Sequence, residues 1–218
     1  SQEIRIEEMK NKEQRVGIFI DIQNLYHSAK NLYNARVNYK ELLRTLVGGR
    51  KLIRAIAYVV KTDEMAGITE EAVSGETAFF DALKRAGIEL RIKDIQVYAS
   101  GAKKADWDVG MAVDAIRMVE FLDVVVLVTG DGDFVPLIEY LRLGRGREVE
   151  VAAFSRSANS KIKEAGDEFI GIEEIPKSLI RIGGNQSRAA GRGQKQRIEP
   201  PAIPEKPAPQ ELHESAKQ

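Results

Sequence analysis

The sequence predicts an α/β sandwich in three layers, a mainly parallel central sheet between helices, followed by a polar tail. Three observations predict it. Apolar β-branched runs at 16–20 and 124–128 have the length and composition of strands buried on both faces. Segments of helical periodicity alternate with such runs, which implies right-handed crossovers. Both runs end in acid, Asp21-Ile-Gln-Asn24 after the first and Thr129-Gly-Asp131-Gly-Asp133 after the second, at the strand ends where ligands of parallel sheets bind. Asp21, Asp131 and Asp133 are therefore expected in one place.

The elements follow in order. After the strand at 16–20 come helical spacings at 22–34 and 39–47, the second stopped by Gly48-Gly49. A strand spans 52–60. The helix at 70–86 carries Val73, Phe79, Phe80 and Leu83 on its apolar side and stops at Gly87, before a strand at 88–92 and an extended piece at 95–98. Helix 106–122 leads into strand 124–128, and helix 134–143 into strand 148–154. A short helix at 159–165 and an extended piece at 168–172 close the series.

From Gly183 onward apolar periodicity gives way to Pro, Gly, Gln and Ala, a composition that buries too little surface to offset ordering entropy. The organisation expected is an N-terminal extension over 1–14, a domain over 15–176 and a flexible, partly basic tail over 177–218. With 33 basic and 33 acidic residues the net charge is zero, which argues against a strongly basic nucleic-acid coat. Five basic residues without an acid between Arg181 and Arg197 suit a weak polyanion-binding arm, or simply a solubilising tail.

The absence of cysteine excludes disulfides and thiolate zinc sites. His27 is the only histidine before the tail, and no stretch reaches the roughly 18 apolar residues of a membrane span. The polar start has no signal-peptide core. A cytoplasmic protein without membrane contact is expected.

In the helix at 106–122 each residue advances about 100°. Asp108 then shares a face with Met111, Ala112, Ala115, Met118, Val119 and Leu122, while Asp114 lies at its edge. A carboxylate on an apolar stripe is costly without a compensating partner. Alone, Asp106 or Asp108 reads as a helix cap; together with two acidic strand ends, Asp108 reads as part of a site. Asp133 has a similar competing role as the cap before Phe134, with Pro136 tolerated in the first turn and Gly130 and Gly132 permitting the tight turn.

Carboxylates held together repel, so some keep protons or a cation compensates them. Oxygen ligands alone favour a hard ion, Mg²⁺ or Mn²⁺, and such an ion activates water for attack on a phosphodiester. The twelve-residue loop of an EF-hand is absent. Gln23 stands where a phosphatase of the haloacid-dehalogenase type has its second Asp, and no Gly-x-Gly-x-x-Gly or Walker lysine is present, so phosphatase, dinucleotide and ATP functions are disfavoured.

Gly17-Ile-Phe-Ile-Asp21-Ile-Gln-Asn24-Leu, Asp106-Trp-Asp108-Val-Gly-Met-Ala-Val-Asp114 and Val126-Leu-Val-Thr-Gly-Asp131-Gly-Asp133-Phe-Val-Pro-Leu together resemble a NYN domain of the LabA-like branch of the PIN-like nuclease superfamily. The resemblance covers roughly 15–175, including Ser155–Ser160 and Ala165-Gly-Asp167-Glu-Phe. It implies a Rossmann-like PIN fold whose carboxylates bind divalent metal and cleave RNA. By position, Asp21 and Asp131 resemble the central metal ligands, Asp108 the helix acid and Asp133 the second acid of the loop. Asn24 would orient Asp21 or a metal-bound water, or serve only as a polar residue of the first helical turn.

Where many relatives have a lysine three residues before the helix acid, this chain has Ala105, with Lys103 and Lys104 just upstream. Lys103, Lys104, Arg156 and Lys161 are candidate phosphate contacts, each with an ordinary solvated role as the alternative. Trp107 and Tyr26 could stack on an unpaired base or pack against neighbours. Asp114 and Asp167 read as supporting residues or caps, and Glu76 and Asp81 as further acids without a spacing argument. The function expected is a metal-dependent ribonuclease, with a catalytically silent RNA- or protein-binding module as the alternative. The resemblance admits a homodimer.

Overall fold

Unbroken apolar strands need cover on both faces, and the chain supplies it with helices between strands. The computed structural model describes residues 10–61, 70–94, 96–97, 103–104 and 107–182, with backbone alone at 61, 70–76, 94, 96–97 and 103–104. In chain order the elements are β1 (Arg15–Asp21), α1 (Ile22–Tyr33), β2 (Ala35–Val37), α2 (Tyr39–Val47), β3 (Lys51–Lys61), α3 (Glu70–Arg85), β4 (Glu89–Asp94), β5 (Gln96–Val97) and β6 (Lys103–Lys104). They continue with α4 (Asp108–Met118), β7 (Val124–Val128), α5 (Val135–Glu139), β8 (Glu148–Ala153), α6 (Ser160–Ala165), β9 (Glu168–Gly171) and β10 (Leu179–Arg181).

The main sheet has the order β4-β3-β1-β7-β8-β9 and every neighbouring pair is parallel. Alternation along the strands divides the core. Ile18, Ile20, Val126, Val128 and Phe154 face Leu25, Ala29, Leu42, Leu46 and Leu83 of the first three helices. Phe19, Tyr58, Val125, Leu127 and Val151 face Met111, Ala115, Leu137, Ile138 and Ile162 of the last three. The predicted sandwich is thus the fold observed.

From β1 the chain builds outward through β3 and β4, then returns to place β7, β8 and β9 on the other side. The direction reverses between β1 and β7, and parallel sheets open a crevice beyond the strand ends at such a point. Register brings Ile20 beside Val128 and Asp21 beside Tyr58.

Three features depart from the sequence expectation. Helix 134–143 is a composite: a 3₁₀ turn (Gly132–Phe134), α5, and a π turn (Tyr140–Gly144). The strands β2 and β10 were not anticipated, because three-residue strands carry no readable alternation; they pair antiparallel with each other. Their pairing also corrects the tail boundary at 177. Ser178 is buried, donates its hydroxyl to Ile172 O, and its carbonyl accepts from Asn38 N at 2.6 Å, at the start of α2. The basic stretch beyond Ile182, the extension before Lys10, and Asp106 lie outside the described residues.

A buried ion pair fastens the end of α2 to the sheet. Arg50 donates to both carboxylate oxygens of Glu150, at 2.6 and 3.0 Å, and also to the carbonyls of Leu46 and Val47. Lys10 adds a second cation to Glu150 at 2.9 Å. A buried carboxylate of this kind is tolerable only because its partners are all in place.

Candidate functional site

The site begins with the end of β1, where Asp21 serves as N-cap of α1: its Oδ1 accepts from Asn24 N at 3.1 Å. Its Oδ2 accepts from the Thr129 hydroxyl at 3.2 Å. Thr129 is fully buried at the end of β7 and its oxygen accepts in turn from Asp131 N at 3.2 Å. One hydroxyl therefore ties the two acidic strand ends together.

Asn24 closes the same seam. Its Oδ1 accepts from Gly130 N at 3.0 Å, joining α1 to the loop after β7. Gly130 O accepts from Asn159 N at 2.9 Å, which adds the segment following β8. An added Cβ at Gly130 would stand 3.0 Å from Ala158 Cα, so glycine is needed there for close approach and not for an unusual φ. Asp131 caps the following 3₁₀ turn by accepting from Asp133 N at 3.0 Å.

Asp21, Gln23, Asn24, His27, Tyr58, Trp107, Asp108 and Asp131 line a cleft of about 240 Å³ at the reversal point of the sheet. Burial pushes the Asp21 carboxyl above its ordinary range. Hydrogen bonds from Asn24 N and the Thr129 hydroxyl oppose this, and the negative charge of Asp131 reinforces it. Among the described residues, none of those that line the cleft is a lysine or arginine.

Asp108 enters from the first turn of α4. The N-cap position belongs to Trp107, whose side chain makes no capping bond, so Asp108 is not the cap. Trp107 is held instead by its indole N–H, which donates to Val59 O at 2.9 Å, and by the Tyr58 ring, 5.5 Å away between centroids. Gly110 lies against the indole: an added Cβ there would meet Trp107 Cε3 at 2.6 Å. Trp107 is thus a fixed wall of the cleft. Tyr58 donates its hydroxyl to Asp114 at 3.0 Å, and Arg91 lies 3.4 Å from the same carboxylate. Burial, then the charge of Asp114, pushes the Tyr58 phenol up, which keeps it protonated as the donor.

The structure brings Asp21, Asp108 and Asp131 to one cleft but sets Asp133 apart. Because the chain turns at Gly132–Phe134, Asp133 is exposed and borders an adjoining groove with Asp108, Val109, Ile116, Phe134, Leu137 and Tyr140. Its alternative role as helix cap also falls to Asp131. Among the described residues no three acidic or imidazole groups stand close enough to hold a metal ion by themselves.

The remaining candidates scatter. Asp114 supports the cleft through Tyr58. Asp167 accepts from Val149 N and from Arg142, at the opposite end of β8 from the cleft, so it has a fastening role. Lys161 is exposed on the first turn of α6, and Arg156 is exposed with its charge acting on the Tyr33 phenol. Asp81 sits on α3 and does not line the cleft. The side chains of Glu76, Lys103 and Lys104 lie outside the described residues. Sequence reasoning missed Thr129 as a linking hydroxyl, and Gln23, His27 and Tyr58 as lining residues. The signal for Thr129 was a polar residue directly between a buried strand and the acidic loop.

Known proteins resemble this chain in sequence and in fold. The NYN domain model matches residues 15–173. The chain is 24% identical over 176 residues to Low amplitude and bright protein LabA of Synechococcus elongatus, covering 74% of this chain and 85% of that protein. Among solved structures, a protein of unknown function from Vibrio parahaemolyticus superposes with a TM-score of 0.68 at 25% identity, covering 78% of this chain and 98% of that one. Among the described residues no helix is long and apolar enough to cross a membrane.

Proposed function

Since the chain belongs to the NYN domain family, we propose that it is a ribonuclease that hydrolyses RNA phosphodiester bonds with a divalent cation, Mg²⁺ or Mn²⁺. The observation that carries this reading is the convergence of Asp21, Asp108 and Asp131 from three elements on one cleft. The donor set fits a hard cation. Such ions accept one or two carboxylates and keep several waters, which suits a cleft lined by a few carboxylates and open to solvent. Asp21 and Asp131 would hold it, with Asp108 as a further carboxylate of the same cleft. When bound, the cation would acidify a water and offset charge on the phosphate.

The chain's own groups prepare that site. Thr129 and Asn24 N fix both oxygens of Asp21. Asn24 Oδ1 fixes the loop that carries Asp131. The Trp107 indole holds the first turn of α4, and with it Asp108, against β3. Tyr58 and Trp107 form the wall that limits water access on that side.

The test is cleavage of a labelled mixed-sequence RNA with Mn²⁺, Mg²⁺ or EDTA, comparing wild type with Asp131→Asn. Metal-dependent cutting that disappears in the variant is expected. The rival reading is a binding module on the same fold that does not cut. RNA binding by both proteins without cutting by either would make it the better account.

A further inference from the structure

The outer face of α1 lies largely outside the cleft, which only Gln23, Asn24 and His27 of this helix line. At about 100° per residue, Ile22, Leu25, Ser28 and Ala29 face the core, and Tyr26, His27, Lys30 and Asn31 lie away from it, all exposed. In a chain that is 30% charged, this helix contains no acid: its residues are Ile-Gln-Asn-Leu-Tyr-His-Ser-Ala-Lys-Asn-Leu-Tyr. A polyanion therefore meets amides, an imidazole and a cation along its length, and no carboxylate of the helix itself.

The aromatic is the second observation. Tyr26 is 47% exposed, although large aromatic rings contribute most when covered. It is not loose: Lys30 Nζ lies 5.6 Å from its ring centroid, and His27 meets it edge-on, also at 5.6 Å. A ring held on one side by a cation presents its other side as a platform, the combination used by proteins that bind single strands without reading sequence. The surface is continuous with the cleft, because His27 lies on this face and also lines the cleft with Gln23 and Asn24. At the far end of the helix, Arg156 exerts its charge on the Tyr33 phenol. Glu173, which also acts on Tyr33, accepts from Ser155 N.

We infer that the outer face of α1 is a binding track for single-stranded RNA leading out of the cleft, with a base stacked on Tyr26 and a phosphate paired with Lys30. The inference rests on the ribonuclease reading only in taking RNA as the ligand. A duplex has its bases stacked internally and gains nothing from Tyr26.

The experiment measures binding by fluorescence anisotropy in EDTA, where cleavage is blocked, with a labelled 12-nucleotide uridine oligomer and a 12-base-pair RNA duplex. Tyr26→Ala is expected to weaken oligomer binding by about tenfold, and Tyr26→Phe, which keeps a ring, to restore it. Lys30→Ala is expected to lower the slope of log affinity against log salt by about 0.7, the value for one phosphate contact on a single strand. Duplex binding should be unchanged in Tyr26→Ala and Tyr26→Phe. Hydrolysis of bis(p-nitrophenyl) phosphate, which is too short to reach the track, should also be unchanged. Wild-type affinity in both Tyr26→Ala and Lys30→Ala overturns the track even if the protein cuts RNA. Selective loss of oligomer binding upholds it even if the wild type cuts nothing, in which case the ribonuclease reading fails alone.

Discussion

Asp21 uses both oxygens, one to cap α1 and one to take the Thr129 hydroxyl, yet burial still holds its carboxyl above its ordinary range. A group with a raised folded-state pKa contributes stability that is present below the unfolded value and lost as pH rises through the folded one. Metal-free protein should therefore lose stability as pH climbs upward from about 4 through the Asp21 titration. Asp21→Asn, which keeps a good cap, should be the more stable protein at pH 7 and show no advantage at pH 3.5; urea denaturation at the two values measures this. Asp123, at the other end of the sheet, has the opposite sign. Hydrogen bonds from Arg15 lower its pKa to about 2, so its contribution is present above about 4 and lost on acidification toward 2. Both partners are more than a third exposed, so solvent screens the pair and its contribution is small. At Thr129, valine keeps the shape and removes both hydrogen bonds. Loss of about 10–100-fold in Mn²⁺ affinity is expected by calorimetry, as for other groups that orient metal ligands, with about 1–3 kcal/mol of stability lost at the stranded Asp131 N–H.

Helices and strands explain why the acids meet, and here the sequence was most legible. Two buried strands with acidic ends were visible as composition, and the reversal between β1 and β7 brought Asp21 and Asp131 together. The apolar stripe of α4 appeared as expected, with Met111, Ala115, Met118 and Val119 buried. The separation of Asp133 was not legible. Spacing of two residues fixes which acids share a loop but not which side of a 3₁₀ turn each one leaves by. The Arg50–Glu150 pair was equally hidden, since its members lie 100 residues apart. It makes a clear prediction: Arg50→Met should cost about 3–5 kcal/mol in chemical denaturation, because Glu150 keeps only Lys10 as a cation. Adding Glu150→Leu should recover most of that loss. For α4, Trp107→Phe removes the bond to Val59 O while retaining a ring. It should weaken Mn²⁺ binding more than it lowers the melting temperature, if the indole serves to place Asp108.

For the folded unit as a whole, closure depends on a short piece of chain that sequence patterns assigned to the tail. The β10–β2 pairing and the buried Ser178 complete the side of the molecule where α2 starts. A chain ended after Pro176 should be less stable than one ended after Gly184 by about 1–3 kcal/mol or more, since Asn38 N and Ile172 O lose their partners. Thermal unfolding of the two truncations measures the difference. The connections from both halves of the sheet meet at one peptide group, Gly130. Its N–H is bonded to Asn24 of the first crossover, its carbonyl to Asn159 of the last, and it stands at the line where the sheet reverses. That amide exchanges its hydrogen with solvent when the bond between α1 and the loop after β7 opens, so its deuterium uptake in metal-free protein is a one-atom gauge of how firmly the crevice is already assembled before any ligand arrives.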